Sequence, residues 1–346
     1  MAKKTALYEE HIKAGGNLIE FAGYMLPVNY PKGIISEHQT VRNEVGMFDV
    51  SHMGEILVKG QDAKNWLERV MTNRVGDLNK GQVRYSAMCY ENGGCVDDLL
   101  IYCFDEFEYL LVVNAANKDQ DYSHLKSLAE NVIVEDVSEN YSQLAIQGPR
   151  SEEVLAKLFE LPREYFSFIE NETFLISKTG YTGERGYEIY GKADDIVKLW
   201  QKLLTMNVKP CGLGCRDTLR FEAGMALYGN ELGRDILPSE GGIGFAVKCD
   251  KDFIGKKAMS DKEEPRILIG LEMTGRGIAR KGYPVFLGET EVGVVTSGTM
   301  SPTLNKAIAN ARVLKGFSEE EEYEVEIRDK KVTAKPIKRP FYKRRD

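Results

Sequence analysis

The 346-residue sequence predicts an α+β protein of two or three domains that ends in an all-β carboxy-terminal module. Three observations carry this. The length exceeds what one ordinary hydrophobic core organises. Up to Lys262, apolar residues recur both at helical spacing and in short strand-like runs, so the two element types are mixed. Beyond Lys262-Glu263-Glu264-Pro265, which reads as a linker, only short strands between Gly, Pro and acidic turns follow, the pattern of a small barrel or sandwich.

In order, a helical pattern spans Ile35 to Val45, and Glu55 to Val58 reads as a strand. Asp62 is placed to cap a helix to about Met71, whose apolar face carries Ala63, Trp66, Leu67, Val70 and Met71. Strands are expected at Tyr85–Cys89, Leu99–Phe104 and Tyr109–Val113, the last two as a hairpin, with a helix from Asn117 to about Leu128. Residues 52–134 thus read as a compact α+β unit. Leu144–Ile146 is a strand, and Ser151 caps a helix to Phe159. Strands at Thr173–Ser177 and Tyr187–Tyr190 flank a glycine-rich loop, Gly180 to Gly186. Asp194–Leu204 is an amphipathic helix, and Cys211-Gly212-Leu213-Gly214 opens another, from Arg216 to about Leu227. Lys256–Lys262 can be helical. The terminal strands fall at Ile267–Met273, Pro284–Phe286, Glu291–Thr296, Ala307–Val313, Tyr323–Ile327 and Val332–Pro336, and Glu319–Glu322 reads as a solvated charge run.

A net charge of −7 argues against general nucleic-acid binding, which needs a basic surface. No stretch approaches the ~18 consecutive apolar residues of a membrane span and no apolar leader opens the chain, so no membrane association is expected and the cytoplasm is the expected address. The six cysteines and four histidines match no metal-ligand spacing; no metal is expected, and the cysteines read as reduced thiols, mostly in the core.

Candidate chemistry concentrates in three places. Asn92-Gly93-Gly94 is turn chemistry, both glycines tolerating positive φ, and Asp97 and Asp98 follow it at the mouth of the strand beginning at Leu99. The two carboxylates either cap the turn or include a general base or charge stabiliser at a pocket edge. Glu188 and Arg216 either bind a planar heterocycle through paired hydrogen bonds or form a salt bridge with each other. Gly212-Leu213-Gly214-Cys215-Arg216-Asp217 carries only the first two glycines of a dinucleotide fingerprint, and no phosphate-binding loop motif is present, so no nucleotide is expected. The basic tail Lys335 to Arg345 is either a frayed terminus or an attraction for an anionic ligand.

Taken together, the stretches FAGYMLPV from Phe21, MFDVSHMGE from Met47, NGGCVDDL from Asn92, LLVVNAAN from Leu110, AIQGP from Ala145, TGYTGERGYEI from Thr179, GLGCRDTLRFEAG from Gly212, LYGNEL from Leu227 and TSGTMSPTLNKAIA from Thr296 resemble the T-protein family of the glycine cleavage system. The resemblance runs in family order over nearly the whole chain. It implies a three-domain cloverleaf around a central folate cavity: 1–51 plus 135–262 as a discontinuous first domain, 52–134 inserted in it, and 263–346 as a β-barrel or jelly-roll-like domain. It implies an aminomethyltransferase that moves the methylene of an aminomethyl group from the lipoyl arm of H-protein to tetrahydrofolate, with 5,10-methylenetetrahydrofolate and ammonia as products. H-protein is the implied partner, with the other components of that system indirectly.

By resemblance Asp98 lies beside the reacting folate nitrogens, where one carboxylate can stabilise developing positive charge and handle a proton. Glu188 and Arg216 match residues that bind the pterin and its vicinity; Met53, Tyr85, Asn114 and Tyr181 match positions lining the cavity. Asp97 then becomes a turn or supporting residue. Arg185 departs from the acidic residue usual after Gly-Glu, and the short tail leaves open which basic residue approaches the folate glutamate. Competing expectations are a folate-binding protein of the same fold without this activity, the folate domain of a sarcosine- or dimethylglycine-type oxidase, and a sulfonium demethylase. The first of these carries a K-G-C-[YF]-x-G-Q-E signature that Pro238–Ala258 lacks; the second needs a flavin domain for which the chain has neither length nor motif.

Overall fold

The structure, a computed structural model, describes residues 2–261, 266–317 and 322–344. The Lys262–Pro265 linker, most of the Glu319–Glu322 charge run and Arg345 of the basic tail lie outside those residues. From the amino terminus, β1 (Lys3–Lys4), α1 (Tyr8–Lys13), β2 (Asn17–Phe21), β3 (Tyr24–Asn29) and α2 (Gly33–Asn43) lead into β4 (Gly46–Asp49). Then come β5 (Gly54–Lys59), α3 (Ala63–Val70), β6 (Val83–Cys89), β7 (Cys95–Asp105), β8 (Glu108–Val113), α4 (Lys118–Ser127) and β9 (Ile133–Asp136). After these follow β10 (Ser142–Gln147), α5 (Ser151–Leu155), β11 (Phe168–Glu170), β12 (Phe174–Ser177), β13 (Gly186–Gly191), α6 (Ala193–Thr205), β14 (Lys209–Pro210) and α7 (Leu213–Glu222). Contacts divide the chain into two compact units: Met1–Arg69 with Asn73–Ser86 and Asp98–Leu219, and Val70–Thr72 with Ala87–Asp97 and Arg220–Asp346.

Two sheets dominate the first unit. One has the order β11-β12-β13-β10-β4-β14, the other β6-β7-β8-β5-β9. Strand alternation gives the six-stranded sheet two different faces. Leu144, Ile146, Ile176, Tyr187 and Ile189 form one side, and Ile196, Leu199, Trp200 and Leu203 of α6 cover it, as the apolar spacing of that helix predicts. The other side carries Glu188 and Tyr190, registered against Ala145 and Gln143 of β10. There Phe168, Leu175 and Tyr190 pack with Val83, Tyr102, Leu110 and Val112 of the second sheet. Two polar positions therefore sit among apolar ones on a face that is itself covered.

Several local expectations shift. β7 begins at Cys95, so Asp97 and Asp98 lie inside the strand and not at its mouth. The α5 helix is preceded by Arg150 at its cap position, so Ser151 is its first residue, and it ends at Leu155. Helix α7 runs from Leu213 and stops at Glu222, short of Leu227; Gly224 follows at φ +72, which a left-handed stop requires. A Cβ at Gly212 would stand 2.5 Å from the Val28 carbonyl oxygen, and one at Gly214 2.5 Å from the Ile34 side chain. These glycines serve close packing, and the Glu37 carboxylate accepts the Gly212 N–H at 2.8 Å. A protein carboxylate thus takes a donor at that helix start, where a nucleotide fold would place phosphate.

In the second unit, α8 (Lys256–Ser260) precedes β15 (Arg266–Met273), β16 (Pro284–Leu287), β17 (Thr290–Ser301), β18 (Lys306–Leu314), β19 (Tyr323–Glu326) and β20 (Lys331–Ile337). These six strands close into a barrel, β15-β18-β17-β16-β19-β20, filled by Leu271, Val285, Val295, Ala309, Ala311, Val313, Tyr323 and Val325. The Asn92 turn belongs to this unit. Gly93 has φ +81, but Gly94 is required for a different reason: a Cβ there would fall 1.6 Å from the Arg234 carbonyl oxygen. All six cysteines are free and five are buried. No helix among the described residues is long and apolar enough to cross a membrane.

Candidate active site

The first unit brings the predicted residues together as two polar groupings. In one, Asp98 is the centre. β7 and β8 pair with Leu100 opposite Val112 and Tyr102 opposite Leu110, so two residues further Asp98 stands opposite Asn114. The Asn114 amide donates to Asp98 Oδ1 at 2.9 Å and to the Asp98 carbonyl at 3.1 Å. The Tyr85 hydroxyl donates to Asp98 Oδ2 at 2.9 Å. Each carboxylate oxygen thus has a donor that fixes its orientation. Because side chains alternate along a strand, the neighbouring Asp97 points to the opposite face and is fully buried, while Asp98 keeps solvent access. The acidic pair is divided by the pleat.

The other grouping surrounds Glu188 on β13. Thr179 Oγ1 donates to Glu188 Oε2 at 2.6 Å, and Gln143 Nε2 reaches Oε1 at 3.4 Å. Burial raises the Glu188 carboxyl above the ordinary value, against the lowering effects of the Thr179 bond and of the Arg216 charge. Arg216, in the first turn of α7, makes no ion pair with Glu188; its guanidinium lies over the Tyr181 ring at 4.8 Å. Burial lowers its pKa, and Nη1 is buried with no hydrogen-bond partner among the described residues. Of the two alternatives weighed for Glu188 and Arg216, the mutual salt bridge is therefore not formed. Met53 plays a packing part, touching both the Phe48–Ala145–Leu219 cluster and the Tyr102–Val112–Tyr190 cluster.

The glycine-rich loop is staked from beneath. Thr182 Oγ1 donates to Gln147 Oε1 at 2.8 Å, and Gln147 Nε2 donates to the Thr179 carbonyl at 3.2 Å. A Cβ at Gly180 or Gly186 would collide with the Gln147 side chain at 2.1 or 2.2 Å. Buried Arg42 bonds the Thr182 carbonyl at 2.7 Å, Glu184 at 3.0 Å and the Leu219 carbonyl of α7 at 3.3 Å. It thereby ties the loop bearing Tyr181 to the helix bearing Arg216. Arg185, the departure noted in the sequence, is exposed, and the charged contact of the loop is made by Glu184.

Sequence reasoning passed over His52, although it lies inside a quoted motif. It is buried, its Nδ1 has no partner among the described residues, and burial followed by the Arg216 charge pushes its pKa down to about 4. A neutral imidazole, an open guanidinium nitrogen and a lightly engaged carboxylate oxygen make a site whose hydrogen-bonding capacity the chain itself leaves unfilled.

An oriented carboxylate beside buried polar atoms that the described residues leave without partners has the makeup of an enzyme site. The pattern of the GCVT N-terminal domain matches residues 7–251, and that of the glycine cleavage T-protein C-terminal barrel domain matches residues 266–343. Aminomethyltransferases of Bacillus cereus strain AH187 and Bacillus anthracis strain CDC 684 are 50% and 49% identical, over 99% of this chain and 98% of theirs. The crystal structure of the glycine cleavage system aminomethyltransferase T from Bartonella henselae superposes with a TM-score of 0.94 at 34% identity, covering 100% of this chain and 99% of that one. The chain belongs to the glycine cleavage T-protein family and is an aminomethyltransferase. Enzymes of this family are folate-dependent in general.

Proposed function

We propose that the enzyme transfers the methylene of an aminomethyl group, carried on the lipoyl arm of H-protein, to tetrahydrofolate. The products are 5,10-methylenetetrahydrofolate, ammonia and dihydrolipoyl H-protein. The observation that supports this best is Asp98, held at both oxygens by Tyr85 and Asn114 while keeping solvent access. Tetrahydrofolate supplies the acceptor nitrogens. Asp98 then stabilises the positive charge that develops as ammonia leaves, and takes the proton that the acceptor nitrogen gives up. Tyr85 and Asn114 hold its carboxylate still for that work.

The residues of the second grouping fit a reduced pterin. Glu188 is an acceptor for the paired N–H donors of such a ring, and Arg216 brings a nitrogen that the chain leaves open. Tyr181 offers a flat face already stacked with that guanidinium. We also read the chain as three domains (1–51 plus 135–262, 52–134 and 263–346), acting in the cytoplasm.

The test is direct. Incubation with aminomethylated H-protein and tetrahydrofolate should release ammonia and methylenetetrahydrofolate together, and ammonia release that ignores folate would sink the proposal. Asp98→Asn should lower turnover by about 10²–10⁴-fold while tetrahydrofolate affinity stays within roughly threefold. Asp97→Asn, on the other face of β7, should leave turnover far closer to that of the parent enzyme. The reverse outcome would move the role to Asp97.

A further inference from the structure

Behind Glu188 runs a chain of four buried hydroxyls that the reaction as described does not use. Thr179 Oγ1 lies 2.6 Å from Glu188 Oε2 and 2.6 Å from Ser177 Oγ. Ser177 Oγ lies 3.1 Å from the Tyr102 hydroxyl, which lies 2.8 Å from the Tyr190 hydroxyl. Each hydroxyl has one proton, so an ionised Glu188 sets the direction of the whole chain. Thr179 donates to the carboxylate and must accept from Ser177. Ser177 then accepts from Tyr102, and Tyr102 from Tyr190. A second possibility for Ser177, donation to the Glu188 carbonyl, is the longer contact at 3.4 Å. Four O–H dipoles thus point the same way, towards Oε2, in a low-dielectric interior where aligned bonds strengthen one another.

We propose that Thr179, backed by Ser177, Tyr102 and Tyr190, is a positioning residue that keeps Glu188 ionised and turns its Oε1 towards the ligand. The arrangement has a second consequence. Tyr102 stands on β7 four residues beyond Asp98, on the same face by strand alternation. The chain therefore links the strand that bears Asp98 to the carboxylate that receives the ring, and so keeps the two ends of the site in register. This rests on the reading that Glu188 binds the pterin.

The charged and titratable groups facing Glu188 are Arg216 from α7, Tyr102 from β7 and Tyr190 from β13. Burial already opposes its ionised form. Removing the Thr179 donor should therefore move the loss of ligand binding to higher pH.

The experiment is calorimetric titration of the full chain with tetrahydrofolate, kept reduced, between pH 5 and 9. Thr179→Val should raise the acid limb of binding by about one pH unit, which weakens binding about tenfold at any given pH on that limb. Thr179→Ser should restore both, and the near-isosteric Tyr102→Phe should move the limb in the same direction by less. If Glu188→Gln weakens binding while Thr179→Val and Tyr102→Phe leave the limb in place, the inference is overturned and the pterin reading stands. If Glu188→Gln binds tetrahydrofolate as the parent does, the pterin reading falls, and the inference with it.

Discussion

Arg216 and Arg220 stand one turn apart on α7 and have opposite fates. Arg220 donates to Glu231 Oε2 at 3.0 Å, to the Met225 carbonyl at 3.2 Å and to Ser297 Oγ at 3.4 Å. Glu231 in turn accepts Thr296 Oγ1 at 2.8 Å and the Leu227 N–H at 3.1 Å. Both members of this ion pair are buried, at 2% and 0% exposure. Arg216 has an aromatic ring and, among the described residues, no ion-pair partner and a buried nitrogen left open. The comparison separates two uses of one side chain. A buried charge whose donors the chain answers has become part of the fold. One whose donors are left open holds binding capacity in reserve, at some cost to stability.

The largest effect should come from breaking the satisfied pair. Arg220→Met leaves the buried Glu231 without its ion-pair partner, and should lower unfolding free energy by about 3–5 kcal/mol in urea titrations. Arg216→Met should leave the urea midpoint unchanged or higher while weakening tetrahydrofolate binding by about 10–100-fold, the range of a lost charge-assisted hydrogen bond. If the two variants behave alike in either assay, the distinction collapses.

His52 sharpens the same contrast through pH. Its pKa, lowered to about 4 in the folded protein, means that the unfolded chain takes up the proton first as pH falls below the ordinary histidine value near 6.5. Stability should be unaffected above that value, then fall progressively towards pH 4, by about 3 kcal/mol from this group. A His52→Gln variant should lose that part of the acid sensitivity, which urea midpoints at pH 7 and pH 5 would reveal.

The smallest effect concerns Glu188. Its raised pKa means that the folded state keeps the proton to higher pH than the unfolded chain does, so the stability cost of the charge is absent at low pH and grows as pH rises through the folded pKa. Glu188→Gln should therefore match or slightly exceed the parent in Tm at pH 8, by the equivalent of up to about 1 kcal/mol, while losing affinity for tetrahydrofolate. A clear drop in Tm would mean that the charge supports the fold.

Much of the fold was legible because its cause is local. The six terminal strands, the α6 stripe and the β7–β8 hairpin follow from apolar spacing and turn residues, which neighbours in sequence determine. The candidate site was legible in part. Asp98, Tyr85 and Asn114 stood in three separate stretches, and spacing alone could not choose between Asp97 and Asp98. The longer extent of β7 settles which face each takes. Helix α7 was recognised by its glycines, yet their reason, close packing on Val28 and Ile34, comes from elsewhere in the chain. His52, Thr179 and Arg42 were missed as parts of the site, because their partners lie far off or on other elements.

By itself the sequence determined which segments become helices and strands, where they turn, and to which family the chain belongs. Only the tertiary structure decided what each charged side chain does there. A carboxylate or guanidinium carries no local mark of its role; that depends on how many hydrogen-bonding groups the folded chain brings to it. Arg216 and Arg220 share a helix and a motif, and only the packing of distant segments leaves the first open and closes the second.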